Sequence, residues 1–542
     1  MFSRPETRGN QEGDARAGRA FSREPSRIAL QCIHCMSEST PGSTAAAVVA
    51  GTSWTALSRI GLQIFSIVSA TVMARFVPPR AYGLVGMAQV VIGFASLFRD
   101  IGTPAAIIRQ KQIDDELLTS VFWLNLAMGL FATSACCLAA PFVARVYSEP
   151  ALLTVFQALS LYFLIASVSN VHSALMNRGF QFARIAAVEL LAGAAGLIVG
   201  VVSAMLGAGV WSLIAGGLTT AIISSILFVA LSPWRPTLSF SSRRLRSLMG
   251  FGLNLSGFNV VNYFGRNADN LLIGKYLGAS PLAYYGFAYN LMLFPVQGIS
   301  WTVGRVLLPA LAQMQDDCDR FGRAYLRACA AIAFVAFPLM AGVTLLTPEF
   351  IAVLLGPKWK PVVPVLRILA PVGMVQSVIT TTGQIYTAMG KTDTLFKWGL
   401  ASTAITVAGF VVGLRWGIIG VASAYAVVMF LLLVPTFWIP FHIIHLPMRN
   451  LWIALWPVVQ ATVVMSATVG GLRWLVLGST RLPAFFVLLV CAGFGAAIYF
   501  AMMYWRSRQL LADFVMLARA GLGVFGRVRL RPANALGWTA GP

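Results

Sequence analysis

Four arginines lie inside stretches of the chain that are otherwise apolar: Arg59, Arg266, Arg305 and Arg367. The carboxylates in comparable surroundings are Glu189 and Asp269. A guanidinium stays ionised when desolvated, and its planar fork donates two parallel hydrogen bonds to a carboxylate or a phosphate. A charge at mid-bilayer costs at least ~2.5–3.5 kcal/mol on insertion scales, so it normally faces a cavity or a partner. The chemistry open to this set is therefore capture of an anion, or an internal ion pair. Arg266 and Asp269 stand three residues apart in "NYFGRNADNLLIGKYLG" (262–278), close enough on one helix face to pair. Asp269 is thus a candidate ion-pair switch, or a carrier of a coupling proton or sodium ion. Arg59 and Arg305 also fit a second reading, as side chains that snorkel to the lipid headgroups. Arg367 and Glu189 read best as structural contacts.

Uncharged polar groups gather near the same arginines. Asn254, Asn259, Asn262, Asn267 and Asn270 share one apolar stretch; Tyr289, Asn290 and Gln297 occupy the next, and Gln63 follows Arg59. Such groups hydrogen-bond hydroxyl-rich ligands or hold helices together. Gln63, Asn262, Asn267, Tyr289, Asn290 and Gln297 are the candidate ligand contacts.

What must position these residues follows from composition. The chain of 542 residues is 58% hydrophobic and only 11% charged, with mean hydropathy +0.77. A soluble domain carries about 25% charged residues, so the class is an all-α polytopic membrane protein. About twenty apolar residues span a bilayer. That length predicts fourteen transmembrane helices: 53–75, 81–98, 117–139, 151–172, 185–205, 209–231, 248–274, 283–308, 328–347, 361–389, 395–414, 418–440, 453–472 and 483–505. With a cytoplasmic N-terminus, twenty-seven of the forty Lys and Arg fall on the cytoplasmic side and nine outside, the bias of the positive-inside rule. Both termini are then cytoplasmic, in a multi-pass membrane protein.

The expected organisation is a disordered basic segment over 1–47, a first six-helix lobe over 48–247 and a second over 248–440. Two further helices follow over 441–505, then a basic tail over 506–542. Met36 is a candidate alternative start. The net charge of +22 is spread over short gaps between apolar runs. It therefore reads as membrane topology rather than a nucleic-acid surface. The loops are too short to hold an enzyme module.

Other motifs carry little. Cys32 and Cys35 form a C-x-x-C with no second pair, and the seven cysteines show no disulfide framework. His442 and His445 stand without further ligands, so no metal or cofactor is expected. Asp317 and Asp319 in "QDDCDR" spell an acid-x-acid motif, but acids are also frequent at helix starts.

An internal repeat is visible: "ARFVPPRAYGLVGMAQ" (74–89) and "GKYLGASPLAYYGFAYN" (274–290) each place a basic residue, a Pro-containing turn and an aromatic–glycine step before a fresh helix. Repeated halves with a site between them are a transporter habit. These stretches, with "FRDIGTPAAIIRQ", "FWLNLAMGL", "NRGFQFARI", "GAGVWSLIAG", "NADNLLIGKYLG", "GRVLLPALAQMQDD", "FPLMAGV" and "LLGPKWKP", occur in family order. In them the chain resembles the Wzx-type polysaccharide flippases, the colanic-acid-exporter-like branch of the multidrug/oligosaccharidyl-lipid/polysaccharide exporter superfamily.

The resemblance implies movement of undecaprenyl-diphosphate-linked sugar repeat units between leaflets, through a cavity lined by spans one, two, seven and eight. On that footing Arg59, Arg266 and Arg305 form a cationic path for the diphosphate. The implied partners are the lipid-linked oligosaccharide, membrane lipids, and polymerase and glycosyltransferases of the same pathway. The rival within the superfamily is a multidrug antiporter, whose site should favour acids and aromatics. A membrane glycosyltransferase, ligase or polymerase is the rival outside it.

Overall fold

The computed structural model describes residues 61–63, 65–99, 114–238, 241, 263–479 and 483–508. Among them every regular element is a helix. The predicted segment 1–47 lies outside the described residues, as does the tail beyond 508.

The first group comprises α1 (Gly61–Phe76), α2 (Pro79–Arg99), α3 (Asp115–Tyr147), α4 (Leu152–Arg178), α5 (Phe182–Met205) and α6 (Val210–Leu231). The second begins with α7 (263–277) and α8 (Ala279–Pro295). A π turn at Val296–Ser300 joins α8 to α9 (Trp301–Ala312). Then come α10 (Cys318–Leu345), the short α11 (Thr347–Leu354), α12 (Val362–Ile379), α13 (Thr382–Ala388), α14 (Thr392–Gly413) and α15 (Gly417–Ile443). The chain closes with α16 (Met448–Ser479) and α17 (Ala484–Arg506).

Each of the fourteen predicted spans falls mainly on helix where its residues are described, the first and seventh being described only in part, with turns at 346 and at 380–381 inside two of them. Among the described residues ten helical stretches are long and apolar enough to cross a membrane, and one of them, 392–443, holds two predicted spans end to end. The number fourteen itself remains an expectation.

Boundaries differ from the sequence reading. The third helix was expected to end at 139 and runs to Tyr147, where Ser148 turns left-handed (φ 54°) and its N–H caps Ala144 and Arg145. Asp115 and Glu116 open that helix, where its dipole favours negative charge. The "QDDCDR" acids serve α10: Asp317 Oδ1 accepts from the Arg320 backbone N–H at 2.9 Å, and Asp319 sits in the first turn. Arg473, expected in an outside loop, lies within α16. Within "FPVQGIS" (294–300) the helix is interrupted by the π turn. Pro295 has no N–H to continue the α ladder, and the chain widens into i→i+5 bonding there.

In the first lobe α3 packs along α4, α5 along α6, and α4 against α6; in the second α10 packs on α12, α14 on α15, and α12 on α15. Corresponding helix pairs cross at small residues. A Cβ on Gly196 would meet Thr220 and the Gly216 oxygen, and one on Gly413 would meet the Gly420 oxygen. Such crossings suit lipid, where close backbone packing does what hydrophobic burial does in water. The lobes meet chiefly where α2 crosses α8. There the place of a Gly83 Cβ is already taken by the Ala279 backbone. The pair α16–α17 leans on the second lobe, α16 against α10 and α17 against α11.

Candidate functional site

Between the lobes lies a cavity of about 1320 Å³, lined mainly by α1, α2, α7 and α8, with α10 and α11 completing its wall. That exceeds the ~300–1,000 Å³ of a pocket for a drug-sized ligand. The wall is divided in character. Gln63, Gln89, Asn267, Asn270, Asn290 and Gln297 supply carboxamides, whereas Leu282, Phe287, Val343, Phe350, Leu354 and Leu355 supply an apolar flank.

Six of the ten candidates named from the sequence line this space. Arg266 is exposed on α7 and contributes to the wall. It forms no ion pair among the described residues. Asn267, one residue on, donates from Nδ2 to the Tyr263 carbonyl at 3.0 Å and also lines the cavity. Gln63 projects from α1, Tyr289 and Asn290 from α8, and Gln297 from the π turn, all onto the same space. The π turn thus places an exposed carboxamide on the cavity wall.

The remaining four are placed otherwise. Arg59 and Asn262 lie outside the described residues. Arg305 is on α9, of which only the backbone is described at that position. Asp269 is buried, 2% exposed, and does not line the cavity. Its Oδ2 accepts from the Tyr285 hydroxyl at 3.0 Å and its Oδ1 from the Asn270 backbone N–H at 2.8 Å. The pairing with Arg266 that the i, i+3 spacing allowed is therefore not formed; the carboxylate turns toward α8.

Gln89 is the lining residue that sequence reasoning passed over. It is exposed on α2 and faces the cavity. A lone carboxamide in "GMAQVVIG" was the available signal.

The segment that follows α11 packs behind one part of the cavity wall, against the lining residues Tyr82 and Phe287. Trp359 is fully buried, and its indole N–H donates to the Ala74 carbonyl of α1 at 3.0 Å. Its ring packs edge-on against Tyr82 of α2 (5.3 Å) and Phe287 of α8 (4.4 Å). Arg75 donates to the Val353 carbonyl and Lys358 to the Arg75 carbonyl, each at 3.1 Å. These contacts tie α1 and α2 to the second lobe. Nearer the other end of α2, the Tyr263 hydroxyl donates to the Val90 carbonyl at 2.6 Å, and Phe94 packs on Phe264.

Comparison with known proteins agrees with this architecture. Residues 72–364, more than half of the chain, match the family described as "Polysaccharide biosynthesis protein". The "Lipopolysaccharide biosynthesis protein WzxC" of Escherichia coli (strain K12) is 28% identical over 383 residues, covering 70% of this chain and 78% of that protein. The "Succinoglycan biosynthesis transport protein ExoT" of Rhizobium meliloti (strain 1021) is 26% identical over 500 residues, covering 92% of this chain and 99% of its own length. Among solved structures, the "Lipid II flippase MurJ, inward closed conformation" has the same fold. It superposes with a TM-score of 0.68 at 15% identity, covering 84% of this chain and 99% of that one.

Proposed function

The chain belongs to the polysaccharide biosynthesis protein family, and from that premise we propose that it is a flippase for undecaprenyl-diphosphate-linked oligosaccharide repeat units. It moves them from the inner to the outer leaflet of a bacterial inner membrane, by alternating access of the cavity between its lobes. The observation that carries this reading is Arg266: an exposed guanidinium on the cavity wall, on a helix that falls in the predicted seventh span, with no ion pair among the described residues. A charge in a bilayer normally faces a cavity or a partner, and a diphosphate entering this cavity offers the oxygens the fork of Arg266 fits.

The carboxamide wall supports the same reading. Each carboxamide both donates and accepts, as a sugar hydroxyl does. The apolar flank suits the lipid that trails the headgroup. The packing around Trp359 would be the outer gate if both termini are cytoplasmic, as the basic-residue bias implies. The cavity would then load from the cytoplasmic side. No covalent step is assigned to the protein; polymerase and glycosyltransferases of the pathway are its expected partners. The multidrug-antiporter reading wants a carboxylate facing the cavity, and Asp269 is turned away from it.

The test is Arg266→Ala in a strain lacking its own copy. Secreted polysaccharide should fall by roughly tenfold or more, the scale of losing a charge-assisted contact, with the protein still present in the membrane. Undiminished export would refute the reading.

A further inference from the structure

Beside the cavity stands a carboxylate that forms no ion pair with the arginine one turn away on its own helix. Arg266 and Asp269 are three residues apart on α7. At that spacing side chains meet readily, and opposite charges attract. A carboxylate turned to Arg266 would offset the positive charge that the guanidinium gives the cavity. Instead both Asp269 oxygens are occupied elsewhere, by the Tyr285 hydroxyl and the Asn270 backbone N–H.

Tyr285 is itself held rigidly. It is fully buried on α8, and its ring stacks on that of Tyr289 (5.9 Å, 17° between planes). Tyr289 in turn packs on Tyr425 of α15 (6.1 Å), and Tyr425 on Phe410 of α14 (5.6 Å). A column of rings from three helices therefore fixes where the hydroxyl points.

We propose that Tyr285 is a positioning residue: it holds the Asp269 carboxylate away from Arg266 and so keeps the guanidinium free for an anionic cargo. This rests on the reading that Arg266 meets the cargo, and it adds how that charge is kept available. The tyrosine touches no substrate. Its effect on specificity is indirect, through the net charge presented by the α7 wall. The buried acid remains in place without cancelling Arg266.

The experiment measures secreted polysaccharide per amount of membrane-inserted protein, in a strain lacking its own copy. Tyr285→Phe removes the hydroxyl and keeps the ring column. The freed carboxylate should turn to Arg266, and export should fall by roughly tenfold or more. Asp269→Asn alone should export within about twofold of the parent, because an amide still meets Tyr285 and cannot neutralise Arg266. The double variant Tyr285→Phe/Asp269→Asn should regain most of the export that Tyr285→Phe loses. A merely structural tyrosine would not be rescued in this way.

Asn270→Asp supplies a second route that leaves the buried site intact. It places an acid on the cavity wall at i+4 from Arg266 and should depress export as Tyr285→Phe does. Normal export by Tyr285→Phe or by Asn270→Asp, absence of rescue in the double variant, or loss of export in Asp269→Asn would each overturn the proposal. If Arg266→Ala exports normally, the flippase site and this proposal fall together. If Arg266→Ala is inactive and Tyr285→Phe is normal, the proposal alone falls.

Discussion

Trp359 and Ala74 are 285 positions apart in the chain and are joined by a hydrogen bond from the indole N–H to the backbone carbonyl. The bond connects the second lobe to α1, which also carries Gln63 on the cavity wall. Around it the rings of Tyr82, Tyr284 and Phe287 pack edge-on against the indole. The two lobes cannot part at this end while Trp359 stays seated.

Replacing Trp359 with Ala should therefore shift the protein toward a conformation open at this end. Truncating a buried Trp costs about 3–5 kcal/mol. A change of that size can bring a conformation populated at about 1% to parity or beyond. A single cysteine at Val85, which lines the cavity, reports the change in a background without the native cysteines. A membrane-impermeant thiol reagent applied from the outer side should label it faster in the Trp359→Ala protein. Equal labelling rates would mean that this contact does not keep the cavity closed.

Gly83 makes a separate prediction about how the lobes meet. The space for its Cβ is filled by the Ala279 backbone, so Gly83→Ala must push α2 and α8 apart. Overpacking of this kind costs typically about 1–3 kcal/mol. The purified protein in detergent should unfold at a lower temperature. Gly342→Ala on α10 is the matched control, because nothing lies within 4 Å of its Cβ position and alanine is the better helix former. The two substitutions should move the unfolding temperature in opposite directions.

How far the sequence disclosed this arrangement differs by feature. The spans were legible because apolar length is a one-dimensional property, and every predicted segment lies mainly on helix where it is described. Helix ends were less so: α3 continues past the expected boundary to Tyr147 and α16 carries Arg473 beyond the apolar run. Nothing requires a helix to stop where its hydrophobic run does. Arg266 stood out because a charge in an apolar run is rare. The Tyr285–Asp269 bond did not, since the choice between an arginine one turn away and a tyrosine on the next helix is made by tertiary packing. The Trp359 packing was equally hidden, being a contact between distant segments, one of them the short α11 and the turn behind it that no periodicity announced.

The attachment of the last two helices includes an ion pair that can be tested alone. Arg473 of α16 donates from Nε and a terminal nitrogen to Glu349 Oε1 of α11, at 3.1 and 3.0 Å. The glutamate side chain is only 9% exposed and the arginine 24%. Removing one partner strands a poorly solvated charge, which costs about 3–5 kcal/mol where burial is complete and less here because Arg473 is partly wet. Arg473→Ala should thus lower the thermal midpoint more than Glu349→Gln, which keeps a neutral acceptor. The double variant Glu349→Ala/Arg473→Ala should recover part of the loss. A thermal-unfolding double-mutant cycle measures this, and simple additivity would show that the two residues are not coupled.

Arg266→Lys separates charge from shape at the cavity wall. Lysine retains the positive charge on a flexible stem but loses the planar fork that meets two phosphate oxygens together. If a diphosphate docks on Arg266, the lysine variant should export more than Arg266→Ala and less than the parent. Arg266→Gln, which keeps a donor without the charge, should resemble alanine. This ranking is measured as secreted polysaccharide against membrane-inserted protein. It tests the nature of the cargo, because a neutral ligand held by hydrogen bonds alone would leave glutamine at least as active as lysine.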